Sequence, residues 1–351
     1  MSFYISDVLI EWYNDNKRSL PWRGTKNPYV IWISEIILQQ TRVEQGRGYF
    51  LNFAERFPDV QSLASASEDE VLKYWQGLGY YGRARNLHHA AKDIIARFNG
   101  VFPEKYEDVL SLKGVGEYTA GAICSIAYNA PYVAVDGNVF RVLSRLFAMD
   151  TPIDTGSGKK LFTETAKEIL NPEFAGEHNQ AIMEFGALRC VPQSPNCSVC
   201  PLHDGCAAFL QNKVSSFPVK QGKTTQKGRY FNYFYVLRDD CTFLNKRTGK
   251  DIWQGLYEFP LIETQHSTTF ETLSVSAEYK NMFSGLEEIS VDLQHYYRKH
   301  ILSHQIIHAR IYKIHIKGNN EYFTGLTKCF TGDFEQFPVS GLIHGYLNKE
   351  L

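Results

Sequence analysis

A chain of 351 residues, 44% hydrophobic and 21% charged, has room for two domains with their own cores and the balance of an ordinary globular protein. No apolar run reaches the roughly 18 residues of a membrane span. Asp7 and Glu11 follow Met1 too closely for a secretory leader, so the expected setting is cytoplasmic, with no membrane partner. The net charge of −1 excludes a globally basic nucleic-acid binder, and any such binding must rest on local patches and backbone amides. By segment, residues 1–211 hold 20 Lys and Arg against 24 Asp and Glu, residues 212–229 hold 5 against none, and residues 230–351 hold 12 against 14.

In chain order, the first 211 residues read as successive helices. Asn27 and Pro28 suit an N-cap and first helical position for a helix ending near Leu38. Ser67-Glu68-Asp69-Glu70 has a capping-box pattern, after which Val71, Leu72 and Trp75 recur at helical spacing. Helices are further predicted over 84–98, 117–128, 138–147, 159–170 and 181–188. Residues 212–229, with Pro218, Gly222, Gly228 and four lysines, have a linker's composition. Beyond them the pattern turns to strand over 230–237, 242–245, 256–259 and 308–316, and a short helix over 342–347 closes the chain. The expected fold is multi-domain: an all-α domain over 1–211, a basic linker over 212–229, and a smaller α/β domain over 230–351.

Three features of the helical half carry chemistry. Cys190, Cys197, Cys200 and Cys206 crowd into 17 residues as C-x6-C-x2-C-x5-C. Four thiolates in one loop ligate either tetrahedral zinc or an iron–sulfur cluster. Leu112-Lys113-Gly114-Val115-Gly116 lies between two helical segments, and its glycines let backbone N–H groups approach a phosphate at a helix N-terminus. Asp136, in Val133-Ala134-Val135-Asp136-Gly137-Asn138, is either a simple N-cap or a functional carboxylate.

In this order, the hairpin, Asp136 and the four cysteines resemble the endonuclease III superfamily of helix-hairpin-helix DNA glycosylases. The resemblance implies a [4Fe–4S] cluster in the loop 190–206, DNA contacts at Gly114, Val115 and Gly116, and a role for Asp136 in stabilising the sugar cation. Ser34-Glu35-Ile36-Ile37-Leu38-Gln39-Gln40-Thr41 and Pro21-Trp22-Arg23 narrow the resemblance to the adenine DNA glycosylase family. Glu35, flanked by Ile31 and Leu38, has the apolar surroundings that raise a carboxyl pKa, and the resemblance makes it the acid that protonates adenine. Trp22, Arg23 and Gln180 match the adenine pocket, Tyr118 and Asn138 the groups that orient water and Asp136, and Leu38, Gln40 and Tyr80 the wedge that replaces the extruded base. Arg83 and Arg85 are expected phosphate contacts. Tyr118 stands where lyases of the superfamily carry a nucleophilic lysine, so a monofunctional enzyme is expected.

Trp253-Gln254-Gly255-Leu256-Tyr257-Glu258-Phe259-Pro260 resembles the start of the family's C-terminal Nudix-like domain. No R-E-x2-E-E carboxylate cluster follows, so the domain should bind and not hydrolyse. Leu302-Ser303-His304 matches the loop that inspects the opposite base, with Leu302 in place of the family's Phe. Ser303 and His304 are the expected contacts to 8-oxoguanine. The implied partner is duplex DNA with an adenine mispaired with 8-oxoguanine or guanine, bound by a monomer. The competing readings are a mismatch thymine or oxidised-pyrimidine glycosylase of the same superfamily, a Nudix hydrolase with a helical extension, and a non-catalytic damage sensor.

Overall fold

The computed structural model describes residues 2–222, 225–286, 288–317 and 323–350. Residues 223 and 224 of the expected linker lie outside that set. Helices α1 (Ser2–Asn16), α2 (Pro28–Leu38), α3 (Val43–Arg56), α4 (Val60–Ser65), α5 (Glu68–Tyr74), α6 (Gly82–Phe98), α7 (Tyr106–Leu110), α8 (Glu117–Tyr128), α9 (Gly137–Leu146), α10 (Gly156–Ile169), α11 (Ala175–Leu188) and α12 (Ala207–Leu210) succeed one another. Strands β1 (Lys227–Arg238), β2 (Cys241–Lys246), β3 (Tyr257–Glu258) and β4 (Leu261–Thr264) follow, then α13 (Phe270–Ser274) and α14 (Ala277–Met282). Strands β5 (Glu288–Ile301), β6 (Gln305–Lys317) and β7 (Thr327–Phe330) and helix α15 (Gly341–Glu350) complete the chain. Among the described residues no helix is long and apolar enough to cross a membrane.

These elements form two compact units, Met1–Ser65 with Asn86–Gly222, and Ala66–Arg85 with Lys223–Leu351. In the first, α11 packs against α1, α8 and α9, while α2 packs against α3 and α8. Leu9, Leu143, Phe162 and Phe185 are fully buried in one core, and removing such large side chains from water is the main stabilising term. Local signals start the helices where capping rules place them. Asn27 accepts from the Tyr29 amide at 3.0 Å ahead of Pro28, and Thr155 accepts from the Gly158 amide at 3.0 Å. Asn129 ends α8 in the left-handed conformation.

The second unit is built on a mixed sheet of seven strands. Its main path runs β3-β2-β1-β6-β5, with β4 on β1 and β7 on β2. Strand β1 runs parallel to β6 over Lys227–Leu237, and β5 pairs antiparallel with β6. Phe234, Tyr312 and Ile314 are fully buried on one face, against α13 and α14 residues such as Leu273 and Tyr279. Residues 66–85 belong to this unit through polar contacts. Asp69 receives Lys246 Nζ at 2.6 Å and the Tyr257 hydroxyl at 3.1 Å, Lys73 pairs with Glu335 at 3.0 Å, and Gln76 accepts from the Val339 amide at 3.0 Å. Ser67 does cap α5, by accepting from the Glu70 amide at 3.1 Å.

Helices α1, α3, α4, α7, α12, α13 and α14 and strands β4, β5 and β7 are additions to the sequence-based elements. Helix α10 begins at Gly156, before the expected Lys159, and α11 begins six residues before the expected Ala181. The strand predicted over 256–259 is only Tyr257–Glu258, with β4 taking up the pairing after Pro260. A proline has no amide hydrogen for the ladder, which accounts for the interruption. The stretch after 211 is not wholly extended linker: Asp154 accepts from the Gln221 and Gly222 amides at 2.9 and 2.8 Å, holding it to the first unit.

Candidate active site

A cavity of about 620 Å³ opens in the first unit among α2, the starts of α8 and α9, and α11. Trp22, Arg23, Glu35, Leu38, Gln40, Tyr118, Asp136, Asn138 and Gln180 all line it. The structure thus gathers nine residues that lie up to 158 positions apart in the chain.

Helix α2 turns Ile31 into the core and leaves Glu35 half-buried at the cavity wall. Tyr118, in the first turn of α8, donates its hydroxyl proton to Glu35 Oε2 at 2.5 Å. Burial pushes the Glu35 carboxyl up to about 7; the Tyr118 hydrogen bond and Arg23 work against that rise, and the charge of Asp136 adds to it. Burial also holds the Tyr118 hydroxyl well above its ordinary value, with the charge of Glu35 adding to the effect, so the phenol stays a donor.

Asp136 is the N-cap of α9, as its capping reading expects, and its side chain also lines the cavity. Its carboxylate accepts from the Val139 amide at 2.8 Å, the Asn138 amide at 2.9 Å and Asn138 Nδ2 at 2.7 Å. Burial raises its pKa, while those three donors and Arg141 oppose the rise. Two carboxyls in one low-dielectric site do not ionise equally. Three donors on Asp136 against one on Glu35 favour the charged form of Asp136 more than that of Glu35.

Gly186 makes this geometry reachable. A Cβ there would lie 2.7 Å from Asn138 Cβ and 3.0 Å from its carbonyl oxygen, so any side chain would drive α11 away from the start of α9. Asn138 is held from behind by Arg141, whose Nη2 donates to Asn138 Oδ1 at 2.9 Å and to the Gly186 carbonyl at 2.6 Å. The same guanidinium donates through Nε to the Cys190 carbonyl at 2.8 Å.

Glu184 and Arg18 are charged cavity residues that sequence reasoning missed; Glu184 holds the pair together. Its side chain is 1% exposed and is bracketed by Arg18, through Nη2 at 2.6 Å, and Arg23, through Nη2 at 2.6 Å. Burial alone would push this carboxyl up, but the Arg18 and Arg23 hydrogen bonds bring it down to about 2. Arg23, assigned from sequence to the adenine pocket, therefore lines the cavity with its guanidinium already committed to Glu184. Glu184→Gln leaves two half-buried cations short of a charge, a loss of about 3 kcal/mol. Differential scanning should show Tm lower by about 10 °C for a unit of this size. Because the folded pKa lies below the usual 4.5, the wild-type stabilisation is present above pH 4.5 and is lost as pH falls toward 2.

The hairpin joins α7 to α8. Gly114 has φ +80, and a Cβ on it would meet Asn86 Cβ at 2.7 Å, so both conformation and space require glycine. Gly116 is the N-cap of α8 and supplies no side-chain cap, and Val115 is buried beneath the turn. The first α8 amides thus lack a capping side chain, the arrangement that suits an anion. Gln40, just past the end of α2, is exposed with φ 56.

Cys190, Cys197, Cys200 and Cys206 line one small cavity of about 30 Å³ together with Arg145 and Leu202. All four are free thiols, and among the described residues no three His, Cys, Asp or Glu side chains are grouped to hold a metal ion. Burial pushes Cys200 up to about 11 and raises Cys197 and Cys206, with the charges of neighbouring cysteines adding to the rise. Arg145 donates through Nη1 to Cys190 Sγ at 3.4 Å and to the Val191 carbonyl at 2.7 Å. Four cysteine sulfurs around one apolar hole, with a guanidinium against one of them, are a donor set that an iron–sulfur group would hold as thiolates.

In the second unit Ser303 and His304 are exposed at the tip of the β5–β6 hairpin, which the Leu302 amide closes on the Gln305 carbonyl at 2.8 Å. Tyr80, exposed with φ 48, shares a hydrogen bond with the Ser303 hydroxyl. Arg83 and Arg85, the expected phosphate contacts, both make bonds within the second unit. Arg83 donates to the Gly79 carbonyl at 3.2 Å and lies 5.2 Å from the Trp75 ring centroid. Arg85 is clamped on the carbonyl and side chain of Gln254. Both guanidiniums are drawn inward by acceptors left over from turns.

Residues 33–172 match the HhH-GPD superfamily of base excision DNA repair proteins, and residues 232–349 match the NUDIX domain family. The chain is 35% identical to the adenine DNA glycosylase of Buchnera aphidicola subsp. Baizongia pistaciae, over 80% of this chain and 82% of that one. It is 33% identical to the enzyme of the same name from Buchnera aphidicola subsp. Acyrthosiphon pisum, over 92% and 90% of the two chains. Among solved structures, a thermostable thymine-DNA glycosylase superposes with a TM-score of 0.56 and 26% identity, over 60% of this chain and 97% of that one. An endonuclease III trapped as a covalent intermediate with DNA gives a TM-score of 0.51 at 25% identity, over 60% and 95%.

Proposed function

The chain belongs to the adenine DNA glycosylase family, and from that premise we propose that its 620 Å³ cavity receives an adenine turned out of mispaired duplex DNA and cuts it from deoxyribose. The observation that carries this reading is the Tyr118–Glu35–Asp136 arrangement: a carboxyl that keeps its proton near neutrality faces one cavity with a carboxylate fixed by three donors. Thymine or an oxidised pyrimidine has no N7 for Glu35 to protonate, which favours adenine over the alternatives.

Extrusion costs a few kcal/mol, which Leu38 at the end of α2 and Gln40 just past it offset by filling the vacated place in the stack. Trp22 and Gln180 bound the base, Gln180 being held by the Tyr13 hydroxyl at 3.2 Å. Tyr118 occupies Glu35 Oε2, so the proton is carried on Oε1, and it passes to adenine N7. The bond from C1′ to N9 then breaks, and its electron pair leaves with the neutral base. The positive charge left on the sugar is stabilised by the Asp136 carboxylate, which Asn138 and the α9 amides hold in place. Water adds to C1′ and its proton returns to Glu35, giving free adenine and an abasic site. No lysine stands at the Tyr118 position, so no Schiff base forms and the strand stays intact.

Cys190, Cys197, Cys200 and Cys206 would hold a [4Fe–4S] group, which supplies four covalent cross-links at the end of α11. Ser303 and His304 would read the base opposite adenine, with 8-oxoguanine preferred. Gly114–Gly116 would take a phosphate on the α8 amides.

The test is a labelled duplex with adenine opposite 8-oxoguanine. Strand cleavage is expected at that adenine only after alkali. Cleavage at a pyrimidine, or none, rejects the reading, and cleavage before alkali rejects the monofunctional mechanism. Because Glu35 acts as the acid, the single-turnover rate constant should fall as pH rises through about 7, by about tenfold per unit beyond it.

A further inference from the structure

The near-neutral charge of residues 230–351 conceals an uneven distribution. Residues 293–320 contain five Lys or Arg and five His and no Asp or Glu, although the domain holds 14 acidic residues. This stretch includes most of β5 and all of β6. Tyr230, His308 and Lys299 stand in one row across β1, β6 and β5, and Arg310 and Tyr297 are partners in the adjoining row. The rings run in series: Tyr230 and His308 stack at 4.9 Å and 15°, and His308 and Tyr297 at 6.4 Å and 28°. Tyr297 shares a 2.8 Å hydrogen bond with His308 Nδ1, and the Arg310 guanidinium lies 5.8 Å from the Tyr297 centroid. The row is open to solvent, with Tyr297 50% exposed and Lys299 exposed.

The opposite face of β1 shows how this sheet treats an arginine that serves structure. Arg229, one residue and therefore one face away from Tyr230, is matched to Asp251 at 2.8 Å and Glu263 at 2.7 Å. Lys299 and Arg310 have no acidic partner among the described residues, and Arg310 donates only to Ser267 Oγ at 2.9 Å. Arg310 beside the Tyr297 ring and the exposed Lys299, neither with an acidic partner among the described residues, suit an anionic ligand. The row also leads into the hairpin tip: Tyr297 and Ser303 are six residues apart on one extended path, about 20 Å.

We propose that Tyr230, Tyr297, Lys299, His308 and Arg310 form a ridge that docks on the phosphodiester backbone of DNA beside the base read by the hairpin tip. The inference rests on the DNA-repair reading above and extends it to a surface with no part in base removal. The ridge contributes register and affinity without sequence preference, as phosphate contacts do.

The experiment is fluorescence anisotropy of the full chain on a labelled, fully matched duplex across a range of salt concentrations. Each phosphate contact contributes about 0.9 to the slope of log K against log salt, so Lys299→Gln with Arg310→Gln should lower the slope by about 2. Arg310→Lys keeps the charge and should restore about half of that loss when paired with Lys299→Gln. A slope equal to wild type in the double variant overturns the proposal. If the double variant has a lower Tm, the exposed Lys299→Gln alone decides, with an expected drop of about 1. Wild-type protein that removes no adenine rejects the function proposed above, whereas the slope on matched duplex tests the ridge separately.

Discussion

Glu35→Gln should lower single-turnover adenine excision by about a thousandfold, the middle of the range for a general acid, while leaving duplex affinity near wild type. Glutamine keeps the volume of the side chain and an oxygen for the Tyr118 hydroxyl, so what is lost is the proton. The same substitution should raise stability in mild alkali. The folded state holds a proton on Glu35 up to about pH 7, whereas an unfolded chain releases it near 4.5. Stability therefore falls as pH rises through that interval and stays low above it. A gap of that size corresponds to at most about 3 kcal/mol, so at pH 8 the inactive variant should melt above wild type. An excision rate within tenfold of wild type would remove Glu35 from the chemistry. A Tm at pH 8 below that of wild type would contradict its burial as a reluctant anion.

Asp136→Asn should lower the excision rate by about 10²–10³, as removal of a preorganised charge from a developing transition state does. Asparagine is as good an N-cap as aspartate, so α9 and the overall Tm should be largely kept. The loss should fall on the rate constant at saturating enzyme and not on affinity, because the sugar is uncharged until the bond to adenine breaks. Combining the two substitutions should cost less than the sum of their separate effects, since the acid and the carboxylate serve one transition state. A variant retaining wild-type rate would reduce Asp136 to its capping role.

Legibility of the site in the sequence followed the range over which each interaction acts. Asp136 was visible because a cap and its amides lie within three residues of one another, and the four cysteines because one loop carries them all. Glu35 was visible because Ile31 and Leu38 mark its helical face. Glu184 was not: its partners Arg18 and Arg23 are more than 160 residues away, and within α11 it reads as an ordinary helical glutamate. Arg141 was hidden in the same way, since its acceptors at Gly186 and Cys190 come from another element. The intramolecular bonds of Arg83 and Arg85 were not visible either, because a basic pair in a helix looks solvated until the carbonyls of Gly79 and Gln254 turn toward it. Strand β5 escaped because the alternation of Ile289, Val291 and Leu293 with polar residues is short and gives way after Gln294 to a mixed basic and aromatic run, as an edge strand of a sheet is free to do.

The assignment of residues 66–85 to the second unit has a consequence for how the protein can be divided. A fragment ending at residue 222 would keep α5 but strand Asp69, Lys73 and Gln76 without Lys246, Glu335 and Val339. A fragment beginning at residue 223 would lack the same contacts from the other side. One scission therefore cannot yield two self-sufficient pieces, and the second unit is an interleaved module, not an appended one. Grafting it onto another glycosylase would require transplanting two separate stretches of chain, and Tyr80 would travel with the graft.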